Sequence, residues 1–184
     1  MDKRTTTEMV YLDFSKAFDR VSHQKLTLVL NSFKLHPTLV NWISEFLSGR
    51  RQRTIVGDEL SEYIKVTSGV PQGSVLGPLL FLMYIDSLLY TLKKSCLETS
   101  VFAFADDVKL LGSNTADIQK ALNLVEVWSN TWQFTIQPQK SEHITYLRRP
   151  KAAICPPDFY IHGNVVKKVN TVKDLGIYVS SGLK

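Results

Sequence analysis

Thr99–Leu111 reads TSVFAFADDVKLL. Two short runs rich in β-branched and aromatic residues flank a pair of acids. The spacing predicts strands over Thr99–Ala105 and Val108–Leu111, with Asp106 and Asp107 between them at a hairpin tip. A carboxylate beside an apolar core is costly unless something compensates it. Upstream, MVYLDF (Met9–Phe14) has the same character. It is apolar on both faces and so reads as a central strand, and Asp13 interrupts its end. Two strand ends of one sheet can bring such carboxylates together, where like charges raise one another's pKa unless a cation intervenes. An all-oxygen set with no Cys or His suits Mg²⁺ or Mn²⁺ rather than zinc. Asp106 and Asp107 would point to opposite faces of an extended strand, so only one is expected as a full ligand, and Asp106 is taken as that one. Taken alone, a pair of acids at a hairpin tip reads better as solvated turn chemistry.

Working outward, Ser22 is placed to cap a helix carrying Leu26, Val29, Leu30 and Phe33, stopped before Pro37. A second helix carries Leu39, Val40, Ile43, Phe46 and Leu47. Arg53–Gly57 and Glu62–Thr67 read as a hairpin across Asp58–Ser61. The loop SGVPQGSVLGP (Ser68–Pro78) runs into LLFLMYIDSLLYTL (Leu79–Leu92), apolar nearly all round and therefore a buried helix, with Pro78 tolerable in its first turn. Ile118, Ala121, Leu122, Val125, Trp128 and Trp132 make one helical stripe, and Glu142–Leu147 alternates as a strand. After a Pro-rich break at Ala152–Pro157, Phe159–His162 and Val165–Val169 should pair across Gly163-Asn164, and a last strand covers Leu175–Val179. Helices alternating with antiparallel hairpins predict an α+β layer, with helices on one face of an antiparallel sheet.

At 184 residues the chain is long enough to bury a core without disulfides. Cys96 and Cys155 form no metal or disulfide framework, which fits a reducing intracellular setting. MDKRTTTEM lacks an apolar signal core, and no apolar run reaches the roughly 18 residues of a bilayer span, so neither secretion nor a membrane partner is expected. From Pro138 to Lys184 eight Lys/Arg face three acids, an excess equal to the net charge of +5 of the whole chain. That excess reads as a region facing phosphates or as a solvated surface.

Two divalent ions about 3.5–4 Å apart on such carboxylates would activate a 3′-hydroxyl and steady a pyrophosphate leaving group. YLDFSKAFD (Tyr11–Asp19), SGVPQGSVLGPLLF (Ser68–Phe81) and FADD (Phe104–Asp107), in this order and at these intervals, closely resemble motifs A, B and C of reverse transcriptases of LINE-type, jockey-like retrotransposons without long terminal repeats. Trp128–Ile144 resembles motif D, and VKDLGIYV (Val172–Val179) the primer-grip motif that follows it. The resemblance implies a polymerase palm over residues 1–150 and a primer-grip-like hairpin over 151–184. It implies an RNA template, a DNA primer and deoxynucleoside triphosphates as partners, with two Mg²⁺ or Mn²⁺ ions as cofactors.

Asp13 and Asp106 would be the metal ligands, with the Phe14 backbone carbonyl beside them, and Asp107 would join the acidic cluster. Phe18 falls at the steric gate that leaves no room for a 2′-hydroxyl, and otherwise reads as a core aromatic. Ala17 would present backbone to the triphosphate, and Gln72 and Gly73 would meet the incoming nucleotide. Lys140 matches the motif D lysine, a general acid for pyrophosphate. The family usually shows Asn two or three residues before that lysine; Gln137 and Gln139 stand here, and Ser141 replaces a common Thr. Asp19 reads as a local hydrogen-bond acceptor. Arg50, Arg51 and Arg53 read as phosphate contacts or as a solvated hairpin.

Motif A begins almost at residue 1 and the chain stops at Lys184, so fingers and thumb are expected to be absent and this chain alone to be a poor polymerase. The rival expectation is a catalytically silent remnant or nucleic-acid-binding module. A two-metal nuclease comes third, since it accounts for neither Phe18 nor the PQG loop.

Overall fold

β1 (Thr6–Leu12) is the centre of the larger sheet, and the rest of the order follows from it. In the computed structural model, which describes residues 6–96, 98–147 and 155–182, a 3₁₀ turn (Ala17–Arg20) follows β1. Then come α1 (His23–Ser32), α2 (Pro37–Leu47), α3 (Leu76–Ser95), β2 (Ser100–Phe104), β3 (Asp107–Gly112), α4 (Thr115–Trp132), β4 (Glu142–Leu147) and β5 (Lys167–Lys168). Short two-residue ladders and one further hairpin complete the described elements. The chain divides into two compact units, one of Lys16–Asp86 and one built from the residues through Ser15 with those from Ser87 onward. The boundary expected after residue 150 lies outside the described residues.

In the second of these units the sheet order is β5-β4-β1-β3-β2. All pairings are antiparallel except β5 with β4. Strand alternation sorts the side chains. Val10 and Leu12, with their β3 partners Leu110 and Val108, are at most 4% exposed, whereas Tyr11 and Lys109 stand opposite each other on the other face. α4 packs on β3 and buries Ile118, Leu122 and Val125 completely. Its N-terminus is held by the Asn114 side chain, which accepts from the Ala116 and Asp117 N–H groups; Gln133, in a left-handed conformation, ends it. The fold is thus α+β with a mainly antiparallel sheet.

Glu8 sits on the buried face of β1 at 1% exposure. His143 Nε2 lies 2.7 Å from its carboxylate and the Thr145 hydroxyl donates to the same oxygen, both from β4, while Phe159 packs edge-on against the imidazole. Burial raises the Glu8 pKa; hydrogen bonds from His143, Thr145 and Thr6 and the His143 charge outweigh it, and the net shift is below the usual 4.5.

Turns depart from expectation in four places. The β2–β3 turn is Ala105-Asp106, with Ala105 at φ 51°, and Asp107 is already the first residue of β3 rather than part of the tip. The hairpin between α2 and α3 turns tightly at Gly57-Asp58, because Val56 pairs with Glu59. Tyr160–Ile161 pairs with Asn164–Val165 across His162-Gly163, both residues at positive φ, as a type I′ turn demands. The chain then leaves that hairpin, and Lys167–Lys168 joins the main sheet beside β4. Finally, Ile177–Ser180 is not a lone strand: it pairs with Thr171–Asp174 across Leu175-Gly176, again two positive φ values.

In the unit Lys16–Asp86, α1 packs on α2 through Leu26, Val29 and Leu30 against Val40, Ile43 and Leu47. The loop before α3 is held by backbone: the Gly69 N–H donates to the Val21 carbonyl and the Val70 N–H to the Phe18 carbonyl. Gly69, at φ 86°, lies so close that a Cβ would stand 2.8 Å from the Asp19 backbone. Gly77 likewise rests on the Pro71 carbonyl, where a Cβ would sit at 2.4 Å. Pro78 does fall in the first turn of α3. At 20 residues, α3 has the length and composition of a bilayer span. Its stripe of Leu80, Phe81, Tyr84, Ile85, Leu88 and Leu92 is at most 1% exposed, whereas Leu79, Leu82 and Tyr90 are more than half exposed, so the helix is buried along one face rather than all round.

Candidate functional site

β1 ends at Leu12, opposite Val108. Asp13 is the next residue after that pair, close enough to Asp107 at the start of β3 for its charge to act on the Asp107 carboxyl. The two sequence-distant acid sites therefore meet because β1 and β3 are neighbours. Asp13 and Asp106 are half-buried. Partial burial pushes the Asp107 carboxyl above its usual 3.8, the charges of Asp106, Asp174 and Asp13 push the same way, and Lys109 opposes them. Lys109 is itself ion-paired with Asp174, and its ammonium lies 5.6 Å from the centre of the Tyr11 ring. The Tyr11 hydroxyl is raised in pKa by burial and by Tyr146 and Asp174.

Asp13 is held through its backbone. Its N–H donates to the Ser141 hydroxyl at 3.2 Å, its carbonyl accepts from the Gln137 N–H at 2.9 Å, and Ser141 Oγ donates in turn to the Gln137 carbonyl. Phe14 bridges to Ile136, its ring buried edge-on against Trp128 and Phe134. The flanking hydrogen bonds of that bridge use the Ser15 N–H and the Asp13 carbonyl, not the Phe14 carbonyl. Lys140 lies exposed in the turn between Gln137 and Ser141. Ser141, fully buried, is the anchor that sequence reasoning missed; its one signal was its position beside Lys140. Ser141→Ala should leave the Asp13 N–H without its acceptor and cost about 1–3 kcal/mol. Urea unfolding of the two proteins checks this, and an unchanged midpoint would refute the anchoring role.

In the unit Lys16–Asp86, the Phe18 ring stacks on Phe81 with centroids 4.3 Å apart and planes 15° from parallel, so its orientation is fixed. Ala17 is buried in the 3₁₀ turn, which Lys16 enters in a left-handed conformation. Gln72 is exposed and donates through Nε2 to Asp19 Oδ1 at 2.9 Å, so Asp19 is a local acceptor. Gly73 is at φ 79° with open space around it.

The donor set at Asp13, Asp106 and Asp107 is oxygen only and of one sign, which fits a hard divalent cation. Among the described residues no three acids or histidines gather into a ready-made cage.

The model of the family "Reverse transcriptase (RNA-dependent DNA polymerase)" matches residues 1–179, and the chain belongs to that family. It is 28% identical to the Pol polyprotein of the type-1 retrotransposable element R2 of Popillia japonica, over 97% of this chain and 32% of the relative. It is 31% identical to a probable RNA-directed DNA polymerase of transposon X-element of Drosophila melanogaster, over 99% and 20%. To the polymerase of mobile element jockey of Drosophila funebris it is 27% identical, over 100% and 20%. The chain thus spans a third or less of the length of these relatives. In fold it is similar to telomerase from Candida tropicalis solved with a fragment of telomeric RNA, with a TM-score of 0.70 and 11% identity over 96% of this chain and 29% of that one. Divalent-metal dependence is general in the family.

Proposed function

We propose that this chain is the palm of an RNA-directed DNA polymerase that adds deoxynucleotides to a primer 3′-hydroxyl on an RNA template. The observation that carries the reading is the β1–β3 register, which brings Asp13, just past the end of β1, close to Asp106 in the turn and Asp107 at the start of β3. Asp13 and Asp106 would hold two Mg²⁺ or Mn²⁺ ions, with the Phe14 carbonyl as a further oxygen. Bound there, the ions supply charge neutralisation and a more acidic 3′-hydroxyl. The protein's part is positioning and a fixed field. Ser141 and Gln137 fix the Asp13 backbone, and Asp107 adds negative charge beside the ligands. Lys140, in the same turn, would return a proton to the departing pyrophosphate. By the family's motifs, the Ala17 backbone would meet the triphosphate, and Gln72 and Gly73 the incoming nucleotide.

The test is primer extension on an RNA template with Mg²⁺ or Mn²⁺, by the chain alone and grafted in place of the palm of a full-length relative. Incorporation that requires Asp13 and Asp106 supports the reading. Nucleic-acid binding without any incorporation, even in the graft, would leave the silent binding module instead.

Phe18, clamped by Phe81, would sit under the sugar as the gate against ribonucleotides. In the grafted enzyme Phe18→Val should raise ribonucleotide use relative to deoxynucleotide by roughly 10-fold or more, the scale of a hydrophobic-pocket contact. An unchanged ratio would return Phe18 to the core.

A further inference from the structure

A cavity of about 380 Å³ lies beside β4 and β5, within the unit that holds the main sheet. His143, Leu147, Pro156, Val169, Asn170 and Ser181 form most of its wall, and none of the acids at the candidate site belongs to it. Backbone bonds set that wall: the Val169 N–H donates to the His143 carbonyl and the Ser181 N–H to the Asn170 carbonyl, both at 2.9 Å. A preformed space of this size is in the range of small-molecule sites.

His143 gives the cavity its chemistry. The side chain is 1% exposed, and its Nε2 lies 2.7 Å from the Glu8 carboxylate, which is not itself in the wall. That carboxyl is held below its usual 4.5, so it is ionised and can only accept. Nε2 therefore carries the ring proton, and Nδ1 of the neutral ring presents a lone pair. Among the described residues, Nδ1 is the one buried side-chain polar atom with no hydrogen-bond partner. Native interiors rarely leave such an atom unpaired.

The remaining groups narrow what could pair with it. A histidine oriented by a carboxylate is also the arrangement of a metal ligand. Here the wall holds no second His, Cys, Asp or Glu, and no three such groups gather among the described residues. Lys168, the one lysine or arginine in the wall, is already committed, with its ammonium 2.7 Å from Asp158 and 2.6 Å from the Pro156 carbonyl. The Thr145 hydroxyl donates to Glu8. What is left is one strong acceptor among the apolar surfaces of Leu147, Pro156 and Val169.

We propose that this cavity binds a small uncharged molecule with an apolar, ring-sized body and one O–H or N–H group, which donates to His143 Nδ1. The inference is independent of the polymerase reading, because neither the acids nor the loop before α3 takes part.

The experiment uses the whole chain labelled with ¹⁵N at histidine, titrated with phenol. Anisole, the same ring with its hydroxyl methylated, is the control. Long-range ¹H–¹⁵N spectra should show the His143 proton on Nε2 throughout, and phenol should move the Nδ1 resonance in the direction of an accepted hydrogen bond. The expected Kd is on the order of 1 mM, as a fragment this small allows. Anisole should bind about 5-fold more weakly or worse, the scale of one lost hydrogen bond. Leu147→Phe, at a half-buried position, fills the cavity and leaves His143 in place. It should weaken phenol binding by about 10-fold, with circular dichroism confirming the fold. Equal affinity for phenol and anisole, a ring proton on Nδ1, or undiminished binding in Leu147→Phe would overturn the site. An Nδ1 resonance that answers zinc chloride but not phenol would make His143 a metal ligand instead. One that reports a hydrogen bond in plain buffer and ignores phenol would reduce the cavity to a water site.

Discussion

Asp106→Asn should remove RNA-templated incorporation by about 100- to 1000-fold, the scale of losing one preorganised charge at a reacting centre. The same substitution should leave the fold intact and, in EDTA, melting at the same temperature or a higher one. The reason lies in the cluster: Asp106 is the largest charge acting on Asp107, whose carboxyl is already pushed up by burial. Removing one negative charge relieves that repulsion where no cation offsets it. A site whose acids destabilise the resting fold yet are required for turnover carries the mark of function. Single-nucleotide extension in the grafted enzyme and a melting curve of the chain check the two halves. A lower melting temperature accompanying lost activity would mean that Asp106 acts through the fold.

Glu8→Ala should be the most damaging substitution in the sheet, costing about 3–5 kcal/mol, because it strips a buried histidine and a threonine hydroxyl of their common partner. The pH profile carries a second signature. The folded pKa of Glu8 lies below its ordinary value of 4.5. Its contribution is therefore complete above about that pH and is lost as the pH falls through the lower, folded value. Urea midpoints measured from pH 7 down to about 3 should drop in the wild type through that window, and drop less in Glu8→Gln. Parallel profiles would show that Glu8 is not the group responsible.

The central elements were legible because their signals are local. MVYLDF announces a core strand, the stripe from Ile118 to Trp132 announces a helix, and the acids at two apolar strand ends mark the place of the candidate site. What escaped is set by partners far along the chain. Glu8 reads as an ordinary charge in a strand until β4 arrives with His143 and Thr145. Ser141 looks like a loop serine until Asp13 is beside it. The turns were misplaced by one residue where a non-glycine accepts a left-handed conformation, as Ala105 and His162 do. Composition does not predict that choice, since only pairing on both sides enforces it. The strand Thr171–Asp174 was missed for a related reason: its alternation is weak, and the Lys109–Asp174 ion pair that anchors it involves a residue more than sixty positions away.

The place of β1 at the middle of the sheet also sets a schedule for biosynthesis. Leu12 leaves the ribosome well before its partner Val108 and the far edge formed by Glu142–Leu147. At about 5–20 residues per second, both edges of β1 stay bare for on the order of 10 s. During that interval an apolar strand with open hydrogen-bonding edges is available to any neighbouring nascent chain, so newly made protein should depend on chaperones until β4 emerges. Pulse-labelled translation with and without added chaperone, scored for soluble product, would register that window directly.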